Sequence, residues 1–226
     1  ACAPFRRLHL CNKNMVKMDT NNDSKAKHNL LLDVCLAANY EAQSLINYRE
    51  QYEVQYPSSV STFTMCTMLA RSFADIGDIV RGKDLYHGKK KRGQTETERD
   101  QLESKLKTIF GKIHKEVTSG AQTYYNDNGG NFFKLREDWW TANRETVWKA
   151  LTCDDDKKLR DAKYFRPTCN ISRDNEKTGT QAKKQCRCSD KPKGKKPRKG
   201  SDNVNIVPTY FDYVPQYLRW FEEWAE

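Results

Sequence analysis

The chain has 226 residues, with 40 Lys and Arg against 30 Asp and Glu, for a formal charge of +10 at pH 7. That length suits one ordinary domain or two small packed units; the 37 % hydrophobic content is low, yet five Trp, eleven Tyr and nine Phe exclude a disordered chain. The most apolar run, Leu30 to Ala38, falls well short of the roughly 20 apolar residues a membrane span requires.

Residues 1–24 combine Cys2, Pro4 and Cys11 with the polar stretch Asp19 to Ser24, which predicts an irregular, stapled opening segment in which Asp23 or Ser24 caps the first long helix. From Lys25 to Gln55 the positions Leu31, Cys35, Ala38, Ala42, Leu45 and Tyr52 recur at helical spacing, predicting that this helix is amphipathic and is ended by Pro57. A second helix is expected from about Ser59, with Phe63, Cys66, Leu69, Phe73, Ile76 and Val80 on one face and Gly82 as its stop. Thr95 and Glu98 have capping-box spacing ahead of a third, through Leu102, Leu106, Ile109, Ile113 and Val117, with Gly120 at its end. Asn126 to Gly130 read as a turn, after which Phe133, Trp139, Trp140, Val147, Trp148 and Leu151 mark a fourth, aromatic-rich helix.

Residues 152–207 are polar and basic, hold four cysteines and show no sustained periodicity, so a stapled insertion is expected, partly disordered near 189–203. Pro215 suits the first turn of a fifth helix, with Tyr217, Leu218, Phe221 and Trp224 as its expected buried stripe. Long amphipathic helices without strand signals imply an all-α helical bundle. Ala1 is not an initiator methionine and residues 220–226 stop inside an amphipathic pattern, so the sequence is expected to belong to a longer polypeptide.

Eight cysteines, at 2, 11, 35, 66, 153, 169, 186 and 188, suit a disulfide framework in an oxidising, extracellular compartment. A zinc site fits poorly, since Cys186-Arg187-Cys188 is CxC rather than CxxC, and no metal or cofactor is expected. The scattered His9, His28, His87 and His114 form no HExxH or other catalytic spacing, and no phosphate-binding or nucleophile-elbow motif occurs. Asp75 and Asp78, at i and i+3, have a spacing that acid–base chemistry could use, but they read first as carboxylates that pair with helix-borne Arg or cap nearby backbone inside the bundle. Likewise Trp139 and Trp140 could stack on a sugar but read first as core. Two sequons, at Asn22 and Asn170, fall in expected loops.

The charge is concentrated. Lys89, Lys90, Lys91 and Arg92 supply four positive charges and Lys191, Lys193, Lys195, Lys196, Arg198 and Lys199 six, which together equal the whole excess. Both runs are bordered by glycine and read as exposed loops, either simply solvated or suited to a polyanion. Lys183 and Lys184 join them as candidate ligand contacts. The cysteine framework favours a cell-surface glycan over nucleic acid; an intracellular nucleic-acid binder would instead keep its thiols reduced.

CAPFRR at 2–7, LARSFADIGDIVRG at 69–82, REDWW at 136–140 and PTYFDYVPQYLRWFEEWAE at 208–226 resemble the Duffy-binding-like domain, alpha class, of Plasmodium falciparum erythrocyte membrane protein 1. The resemblance implies an all-helical, disulfide-stapled adhesion domain, not an enzyme, displayed on the infected erythrocyte as part of a larger membrane-anchored, antigenically variable protein. Its implied partners are a host cell-surface receptor or glycan (heparan sulfate-like chains, blood-group sugars or complement receptor), adjacent domains of the same chain and host antibodies. A structural spacer or immune decoy for a neighbouring adhesive domain is the alternative. The resemblance also implies that residues 1–24 end a first subdomain, that 25–226 form a second, and that the third is absent from this stretch.

Further implied is that Cys2 and Cys11 pair outside the sequence, leaving Cys35, Cys66, Cys153, Cys169, Cys186 and Cys188 for disulfides here, with Cys66 joined to one of the late cysteines. The four cysteines between LARSFADIGDIVRG and PQYLRW match the commoner four-cysteine type rather than the two-cysteine variants most linked to rosetting.

Overall fold

A computed structural model describes residues 2–21, 25–55, 64–88, 90, 93, 95–127, 129–169, 179–188 and 206–225. In chain order the helices are α1 (Phe5–Leu8), α2 (Lys13–Val16), α3 (Ala26–Gln55), α4 (Met65–Arg81), α5 (Glu98–Glu116), α6 (Ser119–Tyr124), α7 (Phe133–Leu151) and α8 (Gln216–Ala225), with a 3-10 turn at Phe211–Tyr213 before the last. No strand forms among the described residues; two isolated bridges, Cys169 to Thr180 and Lys184 to Arg187, pin the insertion. The fold is all-α, as expected. The opening segment carries two single-turn helices instead of being wholly irregular, and the expected cap at Asp23 or Ser24 and the stop at Pro57 lie outside the described residues.

Local chemistry sets the helix ends. Thr64 accepts a bond from the Thr67 backbone N–H to start α4, and Gly82, at φ 74, ends it by letting its own N–H reach Ile79 O and that of Lys83 reach Asp78 O. For α5 the capping box is Thr97 with Asp100, two residues later than the spacing of Thr95 and Glu98 suggests. Nor does α5 run on to Gly120. Gln122, on α6, donates to the carbonyls of Lys115 and Val117 and so satisfies the end of α5 from outside. Before α7 the Asp127 carboxylate accepts the backbone N–H groups of Gly129, Asn131 and Phe132, bonds that hold its pKa below the ordinary value.

The central element is α4. Sixteen of its seventeen residues, all but Met68, are buried, so it is enclosed on every side rather than on the one predicted face. Against one side lies α7, running antiparallel: Arg136 reaches the carbonyls of Val80 and Ile79, Trp140 packs on Gly77, and the ring of Phe73 meets Trp140 and Trp148 at 5.1 Å each. A Cβ on Gly77 would sit 2.7 Å from Trp140 Cζ2, so glycine is what admits the indole. Both Trp139 and Trp140 are core. The α3 helix packs on α4 and α7, and α2 with its neighbours closes the gap between α3 and α5. The predicted stripe of α5, Leu102, Leu106, Ile109 and Ile113, is buried.

Candidate receptor-binding surface

Asp75 and Asp78 are fully occupied by arginines. Asp75 accepts from Arg6 and Arg219 at 2.7 Å each and from Gln216 at 3.0 Å, while Asp78 accepts from Arg219 at 2.6 Å and Arg81 at 2.8 Å. Arg6 also binds Glu223 at 2.9 Å, Arg7 pairs with Asp84, and Gln216 spans Asp75 and Asp84. Burial alone would raise the Asp75 pKa, but Arg6 and Arg219 pull it below the ordinary value. Around Asp78 burial prevails over Arg219 and Arg81, and the pKa is raised. A carboxylate pair sealed in this way binds helices together and offers no acid–base site.

The same network explains a reversal in α8. Tyr217, Leu218, Phe221 and Trp224, the expected buried stripe, point outward and are 46–71 % exposed. Facing the protein are Gln216, Arg219 and Trp220, because the acids of α4 provide partners for the polar side of α8. A neighbouring knot repeats the pattern: buried Asp212 accepts from Trp140 Nε1 at 3.0 Å and from Arg144 at 2.8 Å.

The stapled insertion presents a basic ledge. Cys66 bonds Cys186 across 120 residues, and Cys169 bonds Cys188. In the CxC unit, alternate residues therefore serve two staples, one into the α4 start and one within the insertion. Trp148 Nε1 donates to Cys186 O at 3.0 Å and anchors this unit on α7. Backbone bonds from Gln185 N to Leu159 O, Cys186 N to Ala162 O and Tyr164 N to Ala182 O lay residues 159–164 alongside 182–186. Leu159, Tyr164 and Ala182 turn into the core, and Arg160, Lys163, Lys183 and Lys184 are left outside and exposed. Asp161 is the only acid on these two segments, and none of the four cations forms an ion pair among the described residues.

Lys183 and Lys184 are candidates on sequence alone; Arg160 and Lys163 are not. No motif marks them, since only the cross-chain backbone bonds bring them beside the lysine pair.

Lys90 lies elsewhere, exposed at the rim of a cleft of ≈ 730 Å³ between the chain around α2, residues 84–88, and α5. Ile79 and Gly82, at the far end of α4 from Cys66, line this cleft. Ile79 lies thirteen helical steps after Cys66, so cleft and ledge sit about 20 Å apart along α4. Lys89, Lys91, Arg92, Lys191, Lys193, Lys195, Lys196, Arg198 and Lys199 fall outside the described residues.

Cys35 and Cys153, expected in disulfides, are not bonded to another cysteine in this structure, and neither are Cys2 and Cys11, whose expected partners lie outside the sequence. Asn39, one turn after Cys35 on α3, donates to Ala150 O at the end of α7, and the same carbonyl accepts from Cys153 N. Burial raises the Cys35 thiol pKa, and burial together with the nearby Glu41 raises that of Cys11. No His, Cys, Asp and Glu cluster suited to a metal occurs among the described residues, and none of their helices is long and apolar enough to cross a membrane.

Comparison with known proteins places this architecture. The family model described as the Duffy binding domain matches residues 1–219. The crystal structure of the NTS-DBL1(alpha-1) domain of Plasmodium falciparum membrane protein 1 (PfEMP1) from the varO strain is 38 % identical, with a TM-score of 0.69 over 100 % of this chain and 43 % of that one. The NTS-DBL1-alpha and CIDR-gamma double domain of the same strain is also 38 % identical, with a TM-score of 0.68 over 100 % of this chain and 28 % of that one. The PfEMP1 IT4var13 DBLbeta domain bound to ICAM-1 is 29 % identical, with a TM-score of 0.62 over 100 % of this chain and 44 % of that one. No curated protein matches. The chain thus spans less than half the length of these solved relatives. It belongs to the Duffy binding domain family, whose PfEMP1 members are adhesion domains and not enzymes.

Proposed function

We propose that this chain is part of a host-receptor adhesion module on the outer face of the infected erythrocyte, and that it engages a sulfated, heparan sulfate-like glycan. The observation that carries this reading is the ledge: Arg160, Lys163, Lys183 and Lys184 exposed together on a doubly stapled scaffold, next to the chain that continues into the basic run at 191–199. Four fixed cations give a sulfated chain a preorganised track, and release of its counterions makes binding weaken as salt rises. The relative solved in complex with ICAM-1 supports receptor binding as the general role.

We also retain the division into residues 1–24 as the end of one subdomain and 25–226 as a second, in which the outward apolar side of α8 leaves a packing face for further polypeptide.

Elution from immobilised heparin tests the reading. Lys183→Glu with Lys184→Glu should elute at clearly lower salt than the parent protein while keeping its melting temperature. Identical elution would remove the ledge from the glycan site, and absence of binding by the folded parent would favour the spacer or decoy role.

A further inference from the structure

The cleft at the other end of α4 has a different chemistry from the ledge. It is backed by the buried core residues Leu10, Ile79, Leu102 and Leu106, and its wall includes Tyr40, whose side chain on α3 is 52 % exposed. Three cations, Lys13, Lys90 and Arg99, line it from three different segments, and none forms an ion pair among the described residues. Arg99 is held in place by donating to Asp84 O at 2.9 Å, with its second terminal nitrogen 3.4 Å from the His87 ring.

Of the carboxylates nearby, Asp84 is paired with Arg7, Glu103 with Arg136, and Glu98 has a further partner; Asp100, held in the Thr97 capping box, keeps its charge within reach of Arg99 and Lys90. Three cations against that one carboxylate leave positive charge in excess at the rim, beside the exposed ring of Tyr40. A volume of ≈ 730 Å³ lies in the range of small-molecule sites, about 300–1,000 Å³.

We propose that this cleft is a second ligand site, for a single acidic sugar: a pyranose carrying one carboxylate or one sulfate. The apolar face of the ring would lie against Tyr40, and the anionic group would take charge-assisted bonds from Lys13, Lys90 and Arg99. A polyanionic chain needs a track of cations and no aromatic wall, which is what the ledge provides. One charged sugar needs a pocket with both. The assignment is independent of the glycan reading of the ledge, since the two sites share no residue.

Isotope-labelled protein of full natural length is titrated with N-acetylneuraminic acid, with glucosamine 6-sulfate and, as a neutral control, with N-acetylglucosamine, following backbone amide shifts. Saturable shifts around residues 10–16, 84–90 and 99–106 with at least one of the acids, and weaker binding of the neutral sugar, are expected; which acid binds tells carboxylate from sulfate. Lys13→Glu and Tyr40→Ala, both exposed positions, should each weaken binding about tenfold, whereas Lys183→Glu with Lys184→Glu should leave it unchanged. Absence of saturable shifts at the cleft, including through its being filled by flanking polypeptide, overturns the proposal, as does loss of binding in the ledge variant. Heparin elution reports the ledge separately, so either site can fail alone.

Discussion

Two seams meet on α4 and are held by opposite chemistry. Toward α7 the contact is aromatic, Phe73 against Trp140 and Trp148 with Gly77 cut away to admit an indole. Toward α8 and α1 it is ionic, Asp75 and Asp78 under Arg6, Arg219 and Gln216. A single helix, buried nearly all round, thus uses apolar burial on one side and a sealed charge network on the other. The difference teaches that a buried face need not be the apolar one: what matters is whether the facing element completes it.

The largest effects should come from breaking each seam at its centre. Trp148→Ala removes a fully buried indole and its bond to Cys186 O, and should cost about 3–5 kcal/mol in denaturant unfolding. Asp75→Asn should cost a similar amount, about 3–5 kcal/mol, because two buried guanidinium groups lose their shared carboxylate. The seams then separate by pH. Asp75 has a folded pKa below its ordinary value, so its contribution is fully present above roughly pH 4 and is lost as pH falls through the folded value. Asp78 has a raised folded pKa; its ionised form costs stability at neutral pH, and that cost is relieved on acidification. Asp75→Asn should therefore flatten the acid limb of the melting-temperature profile, Asp78→Asn should cost less at pH 7, and Trp148→Ala should shift the whole profile without changing its acid limb. A parallel shift for all three would mean that the two seams do not differ in kind.

The aromatic seam is legible in the sequence and the ionic one only in part: Asp75 and Asp78 read as paired with arginine inside the bundle, but which arginines is not local information. Periodicity finds Phe73, Trp140, Trp148 and the α5 stripe because apolar residues at helical spacing have one common destination. In α8 it identifies two faces correctly and assigns the wrong one to the interior, since nothing local in QYLRWFEEWA says that Asp75 and Asp78 wait 141 or more residues away. The candidate site divides in the same way. Lys183 and Lys184 show as a local pair, but Arg160 and Lys163 join them through pairing of distant segments, and the cleft draws on α2, α3, α4 and α5 at once. Nor does anything local in the sequence say that the end of α7, with Cys153, meets α3 one turn from Cys35.

The smallest expected effect tests legibility within a single loop. Thr95 with Glu98 and Thr97 with Asp100 both satisfy capping-box spacing, and composition does not separate them. In the structure Thr97 Oγ1 accepts from Asp100 N at 3.1 Å and the Asp100 carboxylate accepts from Thr97 N at 2.9 Å, so the two orphan donors at the α5 start are satisfied reciprocally there. Thr97 is also buried, 6 % exposed, whereas Thr95 is exposed. Thr97→Ala should accordingly lower stability by about 1 kcal/mol, and Thr95→Ala should fall within roughly ±0.5 kcal/mol of the parent. Equal losses at both positions would show that α5 frays between two alternative starts, which would in turn loosen Arg99, two residues along, from its place on the cleft.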